Sequence, residues 1–225
     1  MSRLSIVIPT LNAAAGLGAT LAALAEARDA EIVVADGGSR DGTSALAEAA
    51  GARVVAASRG RGLQLAAGAA AARGDWLLFL HADTVLPPGW ADAVATFVND
   101  PANARRAGYF AFRLDDDDPR ARRLERAVAW RCRRLALPYG DQGLLIGRTL
   151  YDAVGGFRPL PLMEDVDLVR RLGPERLAAL PVAAVTSAAR YRRDGYWRRP
   201  LRNLTCLSLY FLGLSPERIA RLYAR

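Results

Sequence analysis

At 225 residues and 52% hydrophobic content the chain is long enough for one sizeable core and too short for two full domains, so one compact domain with a C-terminal appendage is expected. All 31 basic residues are Arg, which alongside the many alanines reads as a bias across the whole chain, so the net charge of +8 is not by itself a nucleic-acid signature. No apolar run reaches the ~18 residues that span a bilayer, no charged leader with a cleavage site precedes the first strand, and Cys132 and Cys206 stand in no metal-like spacing; these features predict a reduced, cytoplasmic protein.

The first strand, Leu4-Ser5-Ile6-Val7-Ile8, ends in Pro9-Thr10-Leu11-Asn12, and Leu17, Leu21 and Leu24 mark one face of a helix from about Gly16 to Arg28. A second strand, Glu31 to Ala35, runs into Asp36-Gly37-Gly38-Ser39-Arg40-Asp41-Gly42-Thr43 and an alanine-rich helix to about Ala50. Just past a strand end, the Asp36 carboxylate can accept hydrogen bonds from a base N–H or a ribose hydroxyl, or it can merely stabilise the turn. The glycines here form no G-x-G-x-x-G fingerprint, so a dinucleotide cofactor is not indicated.

A short strand, Ala52 to Ala56, leads to Arg59-Gly60-Arg61-Gly62 at the start of a helix that contains Gln64 and Gly68. Arg59 and Arg61 either receive phosphate oxygens there or are surface arginines. The helix leads to Trp76-Leu77-Leu78-Phe79-Leu80, a continuous apolar run that reads as a strand buried on both faces in the middle of the sheet. The run ends in His81-Ala82-Asp83-Thr84. Ligands of open α/β sheets sit beyond the carboxyl ends of the strands, which makes Asp83 a candidate for holding a metal-bound phosphate; the alternative is an Asp capping the next turn. His81 is the sole histidine, and no serine stands in a nucleophile-elbow context, so a hydrolase triad is disfavoured and a packed His81 is expected. The βαβαβαβ order predicts a mostly parallel sheet covered by helices.

The second half is less regular. A helix from about Gly89 to Val98, a strand Gly108 to Leu114, an exposed turn at Asp115 to Asp118 and an Arg-studded helix Arg120 to Leu137 precede Gly140-Asp141-Gln142-Gly143 and the apolar run Leu144-Leu145-Ile146. Glu164-Asp165 and Asp167 open a helix that ends near Leu172. They either complement its macrodipole or include a general base. Successive residues point about 100° apart, so Glu164 and Asp165 cannot address one atom in the same way; Asp165 is the candidate base and Glu164 its neighbour in binding or support. A strand near Pro181 to Val185 is followed by a tail in which nine Arg stand against Asp194 and Glu217 between Arg190 and Arg225. Trp197 to Leu214 mixes arginines with leucines and aromatics, and Ser215-Pro216-Glu217 starts a last helix. Such helices pack on the domain, pair with a second subunit or lie on a membrane surface, and packing or pairing is the favoured expectation.

Taken together, Ser5 to Asn12, Val34 to Thr43, Leu80 to Thr84 and Met163 to Asp167 resemble the ordered motifs of family 2 glycosyltransferases of the GT-A fold. Gly140 to Gly143, the Arg59 to Gln64 segment and the short tail resemble one bacterial subfamily, associated with radical SAM or selenodomain proteins and with arsenosugar biosynthesis. The resemblance implies a GT-A domain over residues 1–190, with a Rossmann-like nucleotide half at 1–100 and an acceptor half at 101–190, and basic amphipathic helices at 191–225. It implies Pro9, Thr10, Leu11, Asp36, Arg61 and Asp83 as nucleotide-binding residues, with Asp83 also the ligand of Mg²⁺ or Mn²⁺. Asp141, Gln142 and Glu164 would meet the acceptor, Arg190 and Arg193 would clamp the diphosphate, and Asp165 would be the base of an inverting, single-displacement transfer.

The implied partners are a uridine or guanosine diphosphate sugar and a small or lipid-like acceptor, with no nucleic acid, and with either peripheral membrane contact at the inner face or a homodimer through the C-terminal helices. His81 stands where a first Asp often sits, so metal affinity without nucleotide should be weak, and Ala13 replaces a common Glu after Asn12. The Q-x-x-R-W signature of processive synthases is absent, which predicts single transfers. Two other readings are a nucleotidyltransferase, which should show a phosphate-gripping loop where Asn12-Ala13-Ala14-Ala15 stands, and a non-catalytic Arg-rich anion- or membrane-surface-binding module, which would not need Asp36, Asp83 and Asp165 at element ends.

Overall fold

The computed structural model describes residues 3–223. Strands β1 (Leu4–Thr10), β2 (Glu31–Asp36), β3 (Arg53–Ala56) and β4 (Trp76–Phe79) are joined by helices α1 (Ala14–Leu24), α2 (Thr43–Ala49) and α3 (Arg61–Ala71). Then follow β5 (Thr84–Val85), α4 (Trp90–Asn99), β6 (Ala107–Leu114), α5 (Pro119–Leu135), β7 (Leu144–Gly147), α6 (Arg148–Ala153), α7 (Glu164–Leu172) and β8 (Leu177–Thr186). Three helices complete the chain, α8 (Ala189–Asp194), α9 (Arg198–Phe211) and α10 (Pro216–Tyr223).

One eight-stranded sheet runs in the order β3-β2-β1-β4-β7-β6-β8-β5. The four strands of the first half are parallel, as the βαβ alternation predicts. Strand β7 lies antiparallel between β4 and β6, and β5 runs antiparallel to β8 at the far edge. The apolar run at Trp76 is therefore central and wholly buried, as expected. It stops at Phe79, however, because residues 80–83 turn the chain away to the opposite edge.

Alternation along the strands sorts the core into two layers. Ile6, Ile8, Val34 and Leu78 face Leu17, Leu21, Leu24 and Trp90 on one side. Val7, Val33, Leu77 and Phe79 face Leu65, Ala69, Leu168 and Leu172 on the other. Helix α3 lies so close to the sheet that a Cβ on Gly68 would overlap Val7 Cγ1 and stand 3.3 Å from Ala35 Cβ. Gly68→Ala should therefore destabilise the protein by about 1–3 kcal/mol, since Val7 is fully buried and has nowhere to move. A calorimetric melting temperature equal to or above that of the parent protein would contradict this packing.

Two local features depart from the expectations. Pro181 lies inside a ten-residue strand, β8, and the pairing with β6 slips between Tyr109↔Ala179 and Ala111↔Ala183. A proline cannot donate to the ladder, and the bulge accommodates it. The Asp115 to Asp118 run is more than an exposed turn: the Asp118 carboxylate accepts from Arg120 N–H to cap α5, and Asp116 accepts from the Tyr196 hydroxyl at 2.6 Å. No described helix is long and apolar enough to cross a membrane.

Candidate functional site

The carboxyl ends of β1, β2 and β4 open onto one edge, and each contributes a polar group. Pro9 and Thr10 pair in register with Ala35 and Asp36, which sets Thr10 against Asp36. The Asp36 carboxylate accepts from Thr10 Oγ1 (2.9 Å), Gly38 N–H (3.0 Å), Ser39 N–H (2.8 Å) and the Ser39 hydroxyl. Burial pushes its pKa up, but these donors outweigh that and hold it below the ordinary carboxylate range. Asp36 thus stabilises the glycine-rich turn, and Leu11 lies next to it, half-buried at the rim.

Sequence reasoning missed a second tie at this edge. Gln64, buried in α3, donates its side-chain amide to the carbonyls of Thr10 and Ala35, and so locks the ends of β1 and β2 together. The signal available was a lone Gln among alanines facing Gly37, whose absent side chain leaves room: a Cβ there would stand 3.0 Å from Gln64 Nε2.

The acidic groups from the second half converge beyond the end of β4. Asp83 sits on the turn after that strand, beside Gly16 of α1, and its carbonyl accepts from Ser187 N–H at 3.2 Å. The turn at Gly140 to Gln142 is tied to the same place, because Thr186, paired with Thr84, donates to the Asp141 carbonyl at 3.3 Å. Asp165 reaches across from the start of α7: its Oδ2 accepts from Gly140 N–H at 2.7 Å and its Oδ1 from Val166 N–H at 2.8 Å. A side chain at 140 would displace His81, since a Cβ there would lie 2.7 Å from His81 Nε2 and 3.3 Å from Asp165 Oδ2. His81 is accordingly packed against this turn, as expected. The floor of the pocket is apolar, with Leu65, Phe79 and Phe157, and His81, Glu164 and Asp165 stand around it.

Asp141 is partly exposed as a residue, yet its Oδ1 is closed off from solvent without a hydrogen-bond partner. Burial pushes its carboxyl up to about 6; Arg131 opposes this, and Asp165 and Asp83 add to it. Among the described residues no group of three or more ligand side chains encloses a cation, and the unpartnered Asp141 Oδ1 is the observation that fits one.

The three acids of α7 point three ways. The helix starts from Met163, held at φ 66°, which turns Glu164 inward to 1% exposure. Arg61 Nε lies 3.3 Å from Glu164 Oε1, an oxygen that no hydrogen bond reaches. Burial first, opposed by Arg61 and reinforced by Asp165, pushes the Glu164 carboxyl up to about 7. Asp167 turns the other way and accepts from Arg171, which also donates to the carbonyls of Val154 and Gly156, so its role is to hold the loop before α7.

The raised Glu164 pKa has a measurable consequence. The unfolded chain releases this proton near 4.5 and the folded chain near 7, so the contribution to stability is complete below 4.5 and is lost as pH rises through 7. Melting temperatures should fall between pH 5 and 8, and Glu164→Gln should flatten that slope. An unchanged slope in the variant would show that the group is not buried as described.

Gln142 and Arg193 are placed differently from what their expected roles require. Gln142 is buried; its amide nitrogen donates to the Phe110 carbonyl at 3.0 Å, and its oxygen accepts from Tyr139 N–H, Arg131 Nη2 and the Cys132 thiol. It therefore holds the 140–142 turn from behind, helped by Arg131 stacked 3.4 Å from the Tyr139 ring centroid. Arg193 is exposed on α8 and its guanidinium grips Asp194 at 2.7 Å. The Arg190 side chain lies outside the described residues.

The sequence matches the family described as Glycosyl transferase family 2 over residues 5–161. No curated protein matches it. Among solved structures it is similar to glucosyl-3-phosphoglycerate synthase from Mycobacterium tuberculosis in complex with Mn²⁺, uridine diphosphate and glucosyl-3-phosphoglycerate, with a TM-score of 0.60 at 23% identity over 83% of this chain and 70% of that one. It is also similar to a mannosyltransferase from Pyrobaculum calidifontis in complex with GDP-mannose and Mn²⁺, with a TM-score of 0.63 at 18% identity over 91% of this chain and 61% of the other. A third similar structure is mannosyl-3-phosphoglycerate synthase from Rubrobacter xylanophilus, with a TM-score of 0.61 at 20% identity over 94% and 75%. At these identities the likeness shows the GT-A fold.

Proposed function

The chain belongs to glycosyl transferase family 2, and from that membership we propose an inverting, metal-dependent, non-processive enzyme that moves a sugar from a nucleoside diphosphate to a hydroxyl of a small or lipid-like acceptor. The observation that carries the reading is that Asp165, held by Gly140 N–H, and Asp141 of the same turn lie with Asp83 around the end of β4, on the edge that also carries Asp36. Asp36 belongs to β2, two strands from β4 and hence roughly 10 Å to the side. That separation suits a nucleoside against Pro9, Thr10, Leu11 and Asp36, with its diphosphate towards Asp83 and Arg61.

Asp83 would hold Mg²⁺ or Mn²⁺, which when bound neutralises charge on the departing diphosphate. Asp165 takes the proton of the attacking hydroxyl. Its two backbone hydrogen bonds keep the carboxylate aimed, and the apolar floor keeps water from competing. Asp141 and Glu164, both with raised pKa values, line the acceptor side and suit hydrogen bonding to hydroxyl groups. Gln142 serves that side by fixing the turn. Arg193 can reach a diphosphate only by exchanging Asp194 for phosphate oxygens, and Arg190 stands three residues before it.

In this reading residues 1–100 serve the donor, 101–190 the acceptor, and 191–225 form the tail. The complexes of the similar structures with Mn²⁺ and uridine or guanosine nucleotides support a donor of that kind, and Gly140 to Gly143 supports the narrower bacterial subfamily. The test is product formation with UDP- and GDP-sugars and Mn²⁺: release of the nucleoside diphosphate with an α-linked donor should yield a β-linked product. Retention of anomeric configuration would overturn the single-displacement mechanism.

A further inference from the structure

Helix α9 is apolar on two sides, where a helix at the surface of a domain needs only one. Cys206 and Leu207 turn into the fold, and Leu207 packs with Leu137, Val166 and Val169. On the outer side Trp197, Leu201 and Leu204 recur at the i, i+4, i+7 spacing of one helical stripe and are 71%, 65% and 57% exposed. Leu212, just past the last turn, is 83% exposed. Arg198 and Arg202 are exposed along one side of the stripe, and α10, packed on α9, adds exposed Arg218 and Arg221. From residue 191 to 223 seven Arg stand against Asp194 and Glu217, and Asp194 is engaged by Arg193 and Arg199.

The geometry points to this outer face of α9 as a docking surface for an anionic lipid bilayer. The charge selects the occupant. A second copy meeting the first across this stripe would set arginines against arginines, whereas a bilayer rich in anionic headgroups offers the opposite sign to all of them and an apolar layer to Trp197, Leu201 and Leu204. Trp is suited to that boundary because its ring is apolar and its N–H remains at the wet edge. The inward side of the same helix touches α7, whose first turn carries Glu164 and Asp165, so docking would place the acceptor side of the site near the membrane. This surface is independent of the transfer chemistry and stands whether or not the assigned acceptor class is right.

The experiment is flotation of the full chain with phosphatidylcholine vesicles, with and without phosphatidylglycerol, in low and high salt. The protein should float only with the phosphatidylglycerol vesicles, and less as salt rises. Leu201→Glu combined with Leu204→Glu should lower partitioning at least tenfold. Arg198→Gln and Arg202→Gln should each lower it about fivefold. Both sets should leave the melting temperature and nucleotide-induced thermal shift unchanged. Absence of binding at low salt, equal binding to both vesicle types, or a dimer in light scattering that the leucine pair dissolves would each overturn the proposal.

Discussion

Asp165→Asn should lower kcat by about 10²–10⁴, the contribution of a positioned general base, with little change in nucleotide affinity. Both oxygens of this carboxylate already accept backbone N–H groups, from Gly140 at 2.7 Å and Val166 at 2.8 Å. An asparagine amide offers one acceptor and a donor that would face one of those N–H groups. The substitution should therefore also cost about 1–3 kcal/mol of stability, so rates must be compared well below the melting temperature of the variant. A nucleotide-induced thermal shift in the variant equal to that of the parent would separate loss of the base from loss of the fold. Transfer within threefold of the parent rate would remove Asp165 from the proton-transfer step and leave Asp141 or Glu164 as the base.

Asp83→Ala should abolish the metal-dependent part of nucleotide binding. At a hundredfold excess over its dissociation constant, a bound nucleotide stabilises by about 2.7 kcal/mol, which for a chain of this size is a rise in melting temperature of roughly 5–10 °C. In the parent protein that rise should require Mn²⁺ or Mg²⁺ together with a nucleoside diphosphate, because the described side chains do not enclose an ion by themselves. The rise is read against the variant's own melting temperature without ligand; the backbone carbonyl of residue 83, which receives Ser187 N–H, is retained. A full metal-dependent rise in Asp83→Ala would place the ion elsewhere in the acidic cluster, on Asp141 or Asp165.

The first half of the sheet was legible because its determinants are local. Near-continuous apolar runs make the strands of β1 and β2, the all-apolar run at Trp76 marks the buried centre, and polar residues begin where those strands end, so Asp36 and Asp83 could be placed at the sheet edge from sequence alone. The order of the four motifs carried the family for the same reason.

What the sequence left open depends on partners distant in the chain. Leu144 to Gly147 is too short and too uniformly apolar to reveal that it runs antiparallel beside β4, and Thr84–Val85 gains its strand only by meeting Thr186 and Val185, a hundred residues later. Glu164, Asp165 and Asp167 read as equivalent acids of one helical turn. Their separation into a buried carboxyl, a carboxylate held by Gly140 and a loop anchor follows from the direction in which each leaves α7 and from what the fold has set opposite it. Gln142 looked like a binding residue until the fold set Phe110, Arg131, Tyr139 and Cys132 around it. In short-range terms a side chain's chemistry and the period of its segment are encoded one residue at a time, whereas its partner is chosen by tertiary packing, and for buried polar groups it is the partner that decides the role.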